Sequence, residues 1–160
     1  MFDAESKTRI LVVEDEADIL QSLCLFLQYS GFEVCGVRSG QEAIQLIREF
    51  CPQLIVLDLM MQPVSGWDVL HWLHVAHIVP PPPVLVMTAL VHFKEQIRGY
   101  EEGAIEYMTK PTQPALLVER IRSILALNAE QRSMLRHQHM DEKRRVLERL
   151  DAPHLDEFTY

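Results

Sequence analysis

No stretch of this chain approaches the ~20 consecutive apolar residues needed to span a bilayer, so it is not expected to cross a membrane. Its opening, Met1 to Arg9, is polar and mixed in charge, unlike a secretory signal. Cysteine is scarce: Cys24, Cys35 and Cys51 are an odd set without metal-ligand spacing, in apolar settings that suit small core residues of a reducing compartment. A cytosolic protein is expected. Positive charge is short as well. Residues 1–127 carry 9 Lys/Arg against 16 Asp/Glu, nearly all of the formal −8, and such an acidic body is a poor partner for a phosphate backbone. Direct nucleic-acid binding by this chain is therefore not expected; no helix-turn-helix, basic patch or Gly-rich phosphate loop argues otherwise. At 160 residues the chain suits one well-buried domain with an appendage.

What is present is organised around Leu54-Ile55-Val56-Leu57-Asp58. Four apolar residues suit a strand buried on both faces of a parallel sheet, and the cost of burying a charge puts Asp58 where that strand ends. Three other runs end similarly: Ile10 to Val13 into Glu14-Asp15, Val84 to Met87 into Thr88, and Ile105 to Thr109 into Lys110. Phe32 to Val37 adds another strand. Helical spacing is expected over Glu16 to Ser30, from an N-cap at Ser39 to before Pro52, over Trp67 to Val75, over Val91 to Glu102, and onward from Pro114. Strands alternating with helices at this pace predict right-handed βαβ units and a parallel sheet covered on both faces. The run Pro80 to Pro83 reads as a stiff, extended link feeding the fourth strand, or else as a proline docking motif.

No Gly or Pro falls between Pro114 and Ala152, so the last helix is expected to run on to about Leu150, roughly 55 Å at ~1.5 Å per residue. Asp141/Arg145 and Arg144/Glu148 are spaced to support it. Its apolar positions Met134, Leu135, Met140, Val146, Leu147 and Leu150 keep no clean heptad, which leaves open a coiled-coil dimer or a solitary helix. Residues 1–127 are expected as the domain and 128–160 as a helical extension, loose after about residue 151. His71, His74 and His77 diverge on a short helix, and His137 and His139 face different ways; all read as solvated surface.

Sites in open α/β sheets form at the carboxyl ends of strands. Asp15 and Asp58 would each offer an oxygen to Mg²⁺, with Glu14 joining directly or through a water. A metal there would neutralise a phosphoryl group and let the Asp58 carboxylate act as nucleophile towards it. Lys110 supplies a second positive charge and Thr88 a hydroxyl.

The ordered set Glu14-Asp15, Asp58, Thr88-Ala89, Gly103-Ala104, Tyr107 and Lys110-Pro111 resembles the receiver domain of bacterial two-component response regulators, over about residues 7–127. Thr88 lies 30 positions after Asp58 and Lys110 lies 52 after it, both within that family's narrow habit. The resemblance implies a flavodoxin-like, doubly wound α/β fold: a five-stranded parallel sheet of order 2-1-3-4-5 with helices on both faces, here with an extended C-terminal helix. It implies that Asp58 accepts a phosphoryl group from the phosphohistidine of a sensor histidine kinase or phosphotransfer protein. Asp15, Asp58 and the Met60 carbonyl would hold Mg²⁺, and Lys110 the phosphoryl group. Thr88 and Tyr107 would form the switch, read out on the surface of the fourth helix, fifth strand and fifth helix, with homodimerisation there or through the C-terminal helix. By the same resemblance Met60 and Leu90 would flank the approach of hydrolytic water; both are apolar, so slow self-dephosphorylation is expected.

The sequence departs from the pattern in three places. Gln62-Pro63 puts proline one position late after the acceptor, so a locally altered loop is expected. Thr112 stands where an aromatic residue is common. Leu116 replaces a Glu of the charged dimer network, although Glu106, Arg120 and Arg122 suit part of it. Two alternatives are a pseudo-receiver acting without phosphorylation and an aspartyl-phosphate phosphatase of the haloacid dehalogenase type. The latter needs a second Asp two positions after the nucleophile, where this chain has Met60. A flavodoxin-like electron carrier would need a Ser/Thr-rich phosphate loop after the first strand, and none is there.

Overall fold

Strand β1 (Arg9–Val13) leads through helix α1 (Ala17–Tyr29) to β2 (Glu33–Val37), then α2 (Gly40–Phe50), β3 (Leu54–Leu57), α3 (Gly66–Val75), β4 (Val84–Thr88), α4 (Phe93–Glu101), β5 (Ala104–Thr109) and α5 (Pro114–Leu125); α6 (Ala129–Asp151) follows directly. The computed structural model describes residues 6–89 and 92–152. The strands form one sheet in the order β2-β1-β3-β4-β5, every pairing parallel. This is the flavodoxin-like order expected from the resemblance. The four-residue runs Ile10–Val13 and Leu54–Leu57 are buried throughout, because both sheet faces are covered.

Alternation along each strand divides the core into two layers. Ile10, Val12, Leu54, Val56, Leu85 and Met87 face Leu23 and Leu27 of α1 and Leu117 and Ile121 of α5. Leu11, Val13, Ile55, Leu57, Val84 and Val86 face Ala43 and Ile47 of α2 and Val69 and Leu70 of α3. Each such side chain contributes about 1.5–3 kcal/mol by leaving water. Ser39 caps α2 by accepting from Glu42 N, as its position predicts. Cys51 is not a core residue: it closes α2 in the left-handed region, exposed to solvent, because the chain must turn there ahead of Pro52. Cys24 and Cys35 are half-buried, and burial pushes both thiols up from their ordinary pKa. Pro80 to Pro83 carries no regular element and delivers the chain to β4, with the Pro83 carbonyl accepting from Ile55 N at 3.0 Å.

The C-terminal helix is long, as expected, but it does not continue α5. Helix α5 stops at Leu125; Asn128 then starts α6 with a capping box, its side chain accepting from Gln131 N while the Gln131 side chain accepts from Asn128 N. Asn competes well for the first-turn amides and poorly inside a helix, so a break needs neither Gly nor Pro. Arg132 Nε donates to the Ile124 carbonyl (3.1 Å) at the end of α5, and α6 folds back to pack chiefly on α4 and β5. Among the described residues no helix is long and apolar enough to cross a membrane.

Candidate functional site

Three strand ends converge at one edge of the sheet, held by backbone bonds that extend the ladders. Glu14 N donates to the Val37 carbonyl (3.0 Å), Asp58 N to the Val13 carbonyl (3.0 Å) and Lys110 N to the Thr88 carbonyl (2.9 Å). Each functional side chain therefore sits one or two residues past a rigid strand. After Asp58 the chain alternates: Leu59 and Met61 point into the core, each 1% exposed, while Met60 between them is 58% exposed. Two buried anchors fix the loop, and Met60 N donates back to Asp58 Oδ1 (3.1 Å). Gly66 N donates to the Leu59 carbonyl (3.2 Å), and α3 begins with a Ser65–Asp68 capping box. Asp58 thus keeps its strand-end position ahead of the loop through Gln62-Pro63.

Oxygen atoms of Glu14, Asp15 and Asp58 lie within 4.8 Å of one another. Glu14 and Asp58 are almost completely buried and Asp15 partly so. Lys110 Nζ is the cation that offsets them, donating to Glu14 Oε2 and to Asp58 Oδ2, the latter at 3.0 Å. Burial raises the Glu14 pKa, partly offset by the Lys110 hydrogen bond and by Glu16 N donating to Oε1 (3.2 Å). Burial alone would lower Lys110, but its bonds to the two carboxylates carry it above its ordinary value. Three carboxylates against one ammonium leave an excess of negative charge in a confined space, the donor set that a hard divalent cation with oxygen ligands fits. Thr88 is fully buried at the end of β4, in register with Thr109.

The chain matches the family model for the response regulator receiver domain over residues 10–122. The chain belongs to that family. It is 40% identical over 119 residues to a probable transcriptional regulator ycf27 of Porphyra purpurea, covering 74% of this chain and 48% of that one. It is 34% identical over 125 residues to the DNA-binding response regulator MtrA of Mycobacterium tuberculosis, covering 78% and 54%. The receiver thus spans about half the length of the curated relatives it matches. Among solved structures it resembles the Francisella response regulator 1452 receiver domain (TM-score 0.69, 28% identity, 74% of this chain and 96% of that one). It also resembles the BeF3-activated N-terminal receiver domain of Klebsiella pneumoniae RstA (TM-score 0.69, 27% identity, 75% and 100%).

The receiver's Tyr107 lies on β5 with its ring largely buried against Tyr100 of α4, centroids 5.2 Å apart in an edge-on arrangement. Burial raises both phenolic pKa values well above the ordinary range. The Tyr107 hydroxyl rests over Gly99, where any Cβ would collide with it, and it is buried without a hydrogen-bond partner among the described residues. An isolated Gly inside a helical pattern was the available signal. Two opposite outcomes are expected. Gly99→Ala should destabilise the receiver by ~1–3 kcal/mol through overpacking. Tyr107→Phe should be neutral or stabilising, because it removes an unsatisfied buried hydroxyl. Urea unfolding of both variants checks this; equal destabilisation by the two would show that Tyr107 does not lie over Gly99.

Arg38 is a second residue that sequence reasoning missed: its Nε and Nη2 both donate to the Asp15 backbone carbonyl (3.1 and 3.0 Å) and hold the acidic turn. Leu90 lies outside the described residues. Removing the Lys110 ammonium should be costly, since it leaves Glu14 and Asp58 facing each other unpaired. Lys110→Ala is expected to lower stability at pH 7 by roughly 3 kcal/mol, the scale for breaking a buried ion pair. The sign of its pH dependence follows. A carboxylate whose folded-state pKa is raised destabilises the fold above that pKa, and the penalty disappears as pH falls through it. The variant should regain stability on acidification from neutrality towards the raised Glu14 pKa, more than the parent does. Thermal unfolding across that range, with no such recovery, would count against a charge-compensating role.

Proposed function

We propose that this receiver is a phosphoacceptor in which Asp58 takes a phosphoryl group from the phosphohistidine of a sensor histidine kinase or phosphotransfer protein. What chiefly supports the reading is the convergence of Glu14, Asp15 and Asp58 with Lys110 at adjoining strand ends. In the transfer, an Asp58 carboxylate oxygen attacks phosphorus, a P–O bond forms as the P–N bond breaks, and the bonding pair leaves with the imidazole. Lys110, already directed at Asp58 Oδ2, would follow the transferred charge, and the Thr88 hydroxyl would donate to a phosphoryl oxygen. Asp15, Asp58 and the Met60 carbonyl, with Glu14 nearby, would hold Mg²⁺, whose contribution is to neutralise the anion approaching a carboxylate. Residues 1–127 would form this unit and 128–160 a helical extension. Tyr107 and Thr88 would carry the change of state outward.

Two neighbours bear on how long the signal lasts. The Met60 side chain is solvent-exposed beside the acceptor and cannot orient an attacking water; Leu90 is apolar too. A water-orienting group typically contributes ~10²-fold or more, so decay is expected on the order of tens of minutes or longer. Incubation with acetyl phosphate and Mg²⁺, followed by mass measurement, should show one acid-stable, base-labile phosphoryl group. Removal of the donor should then give this slow loss. Absence of any label with both acetyl phosphate and a phosphorylated kinase would favour a phosphorylation-independent module instead.

A further inference from the structure

Helix α6 covers the open side of the sheet. Strand β5 is an edge strand, and its register with β4 jumps between Ala104 and Glu106, leaving Ile105 unpaired with β4. Edge strands expose unpaired backbone groups that invite another chain. Here His139 of α6 fills that role by donating from Nδ1 to the Ile105 carbonyl (3.2 Å), while its ring lies against Tyr100 of α4 (5.6 Å) and its Nε2 faces Glu106 (3.9 Å). On either side of His139, Leu135 packs on the apolar layer of the sheet and Arg144 pairs with Glu101 of α4 (2.7 Å). His139 is therefore an interface residue, contrary to its reading as solvated surface, and Arg144 bonds across to α4 in place of the expected Glu148 partner.

The cover is weakly seated. No residue of α6 is fully buried, although α6 runs 23 residues. Its half-buried stripe, Arg132, Leu135, Arg136, His139, Met140, Lys143, Val146 and Leu147, advances in steps of three and four, but half of it is cationic or imidazole. Such a face gains little from leaving water and detaches at low cost. The same face touches the proposed switch: Tyr107 contacts Tyr100, which contacts His139. A shift of Tyr107 would displace the ring on which His139 rests.

We propose that the α4–β5 face is an interaction surface whose resident occupant is α6 of the same chain, released when the acceptor site carries its phosphoryl group. This rests on the reading of Asp58 as acceptor. By population shift, the charged site favours the undocked state only through contacts that differ between the two, and the Tyr107–Tyr100–His139 succession is where they differ. Once free, the face becomes available to a partner.

Hydrogen exchange of the full chain, with and without beryllofluoride and Mg²⁺, tests this. On addition, peptides within 129–151 should exchange about tenfold faster, while the loop following Asp58 exchanges more slowly. Leu135→Asp with His139→Glu should give fast exchange of α6 without any additive, and beryllofluoride should add nothing further there. Arg144→Glu, a surface change that leaves the core intact, should do the same to a smaller extent. If the loop slows but α6 stays as protected as before, the release is wrong and the Asp58 reading stands. If neither responds, the Asp58 reading fails and the release fails with it. If all three substitutions leave α6 protected, the helix is not held by this stripe and the inference is overturned.

Discussion

Asp58→Asn should take up no phosphoryl label from acetyl phosphate or from a phosphorylated kinase, under conditions in which the parent gains one group. The amide oxygen of Asn does not form an acyl phosphate, and the remaining carboxylates are differently placed. Glu14 is 1% exposed and already engaged by Lys110, and Asp15, whose carboxylate lies within 4.8 Å of that of Asp58, would be held as a metal ligand. The substitution removes one negative charge from a group of three and also one Lys110 partner, effects that oppose each other. Its melting temperature should therefore stay within a few degrees of the parent's. Loss of label with retention of fold separates chemistry from stability. Equal labelling of the Asn variant would place the acceptor elsewhere.

Gly66→Ala should damage both. A Cβ at residue 66 would fall within contact distance of the Asp58 carbonyl and the Leu59 Cα, both backbone atoms. Backbone cannot swing aside like the end of a long side chain. The start of α3 cannot retreat easily either, because the Gly66 N to Leu59 carbonyl bond ties it to the acceptor loop and the Ser65–Asp68 capping box stiffens its first turn. Inserting a methyl group into a packed region typically costs ~1–3 kcal/mol, and the upper end is expected here. At ~2–4 °C per kcal/mol for a chain of this size, the melting temperature should fall by roughly 10 °C. Labelling of the folded fraction should slow, since the strain is relieved by moving the acceptor itself. A variant that melts within a degree of the parent and labels at its rate would show that the close approach at Gly66 is absent.

These two positions divide between them what was legible in advance. Asp58 was readable because the cost of burying a charge puts a carboxylate at the end of an apolar strand, and because Thr88 and Lys110 stand at matching ends of later strands. The steric demand at Gly66 was not readable, since only the folded chain brings α3 onto the Asp58 carbonyl. Glu14 likewise appeared in sequence as a possible metal ligand; its pairing with Lys110, 96 positions away, depends on β1 and β5 ending on the same side of the sheet.

The sequence by itself determined the alternation of strands and helices, the parallel sheet and the edge at which the chemistry gathers, because these follow from hydrophobic period, caps and the cost of buried charge, all local quantities. Tertiary structure alone decided where α6 goes. Its inner stripe mixes arginines, a histidine and a lysine with an equal number of apolar residues, so no clean periodicity of hydrophobicity marks it. It becomes a face only when the β5 edge presents a free carbonyl at Ile105, Tyr100 a ring and Glu101 a carboxylate. The break at Asn128 is local in chemistry, but the reversal it permits is stabilised by partners from α4 and β5, which no stretch of the C-terminal sequence contains.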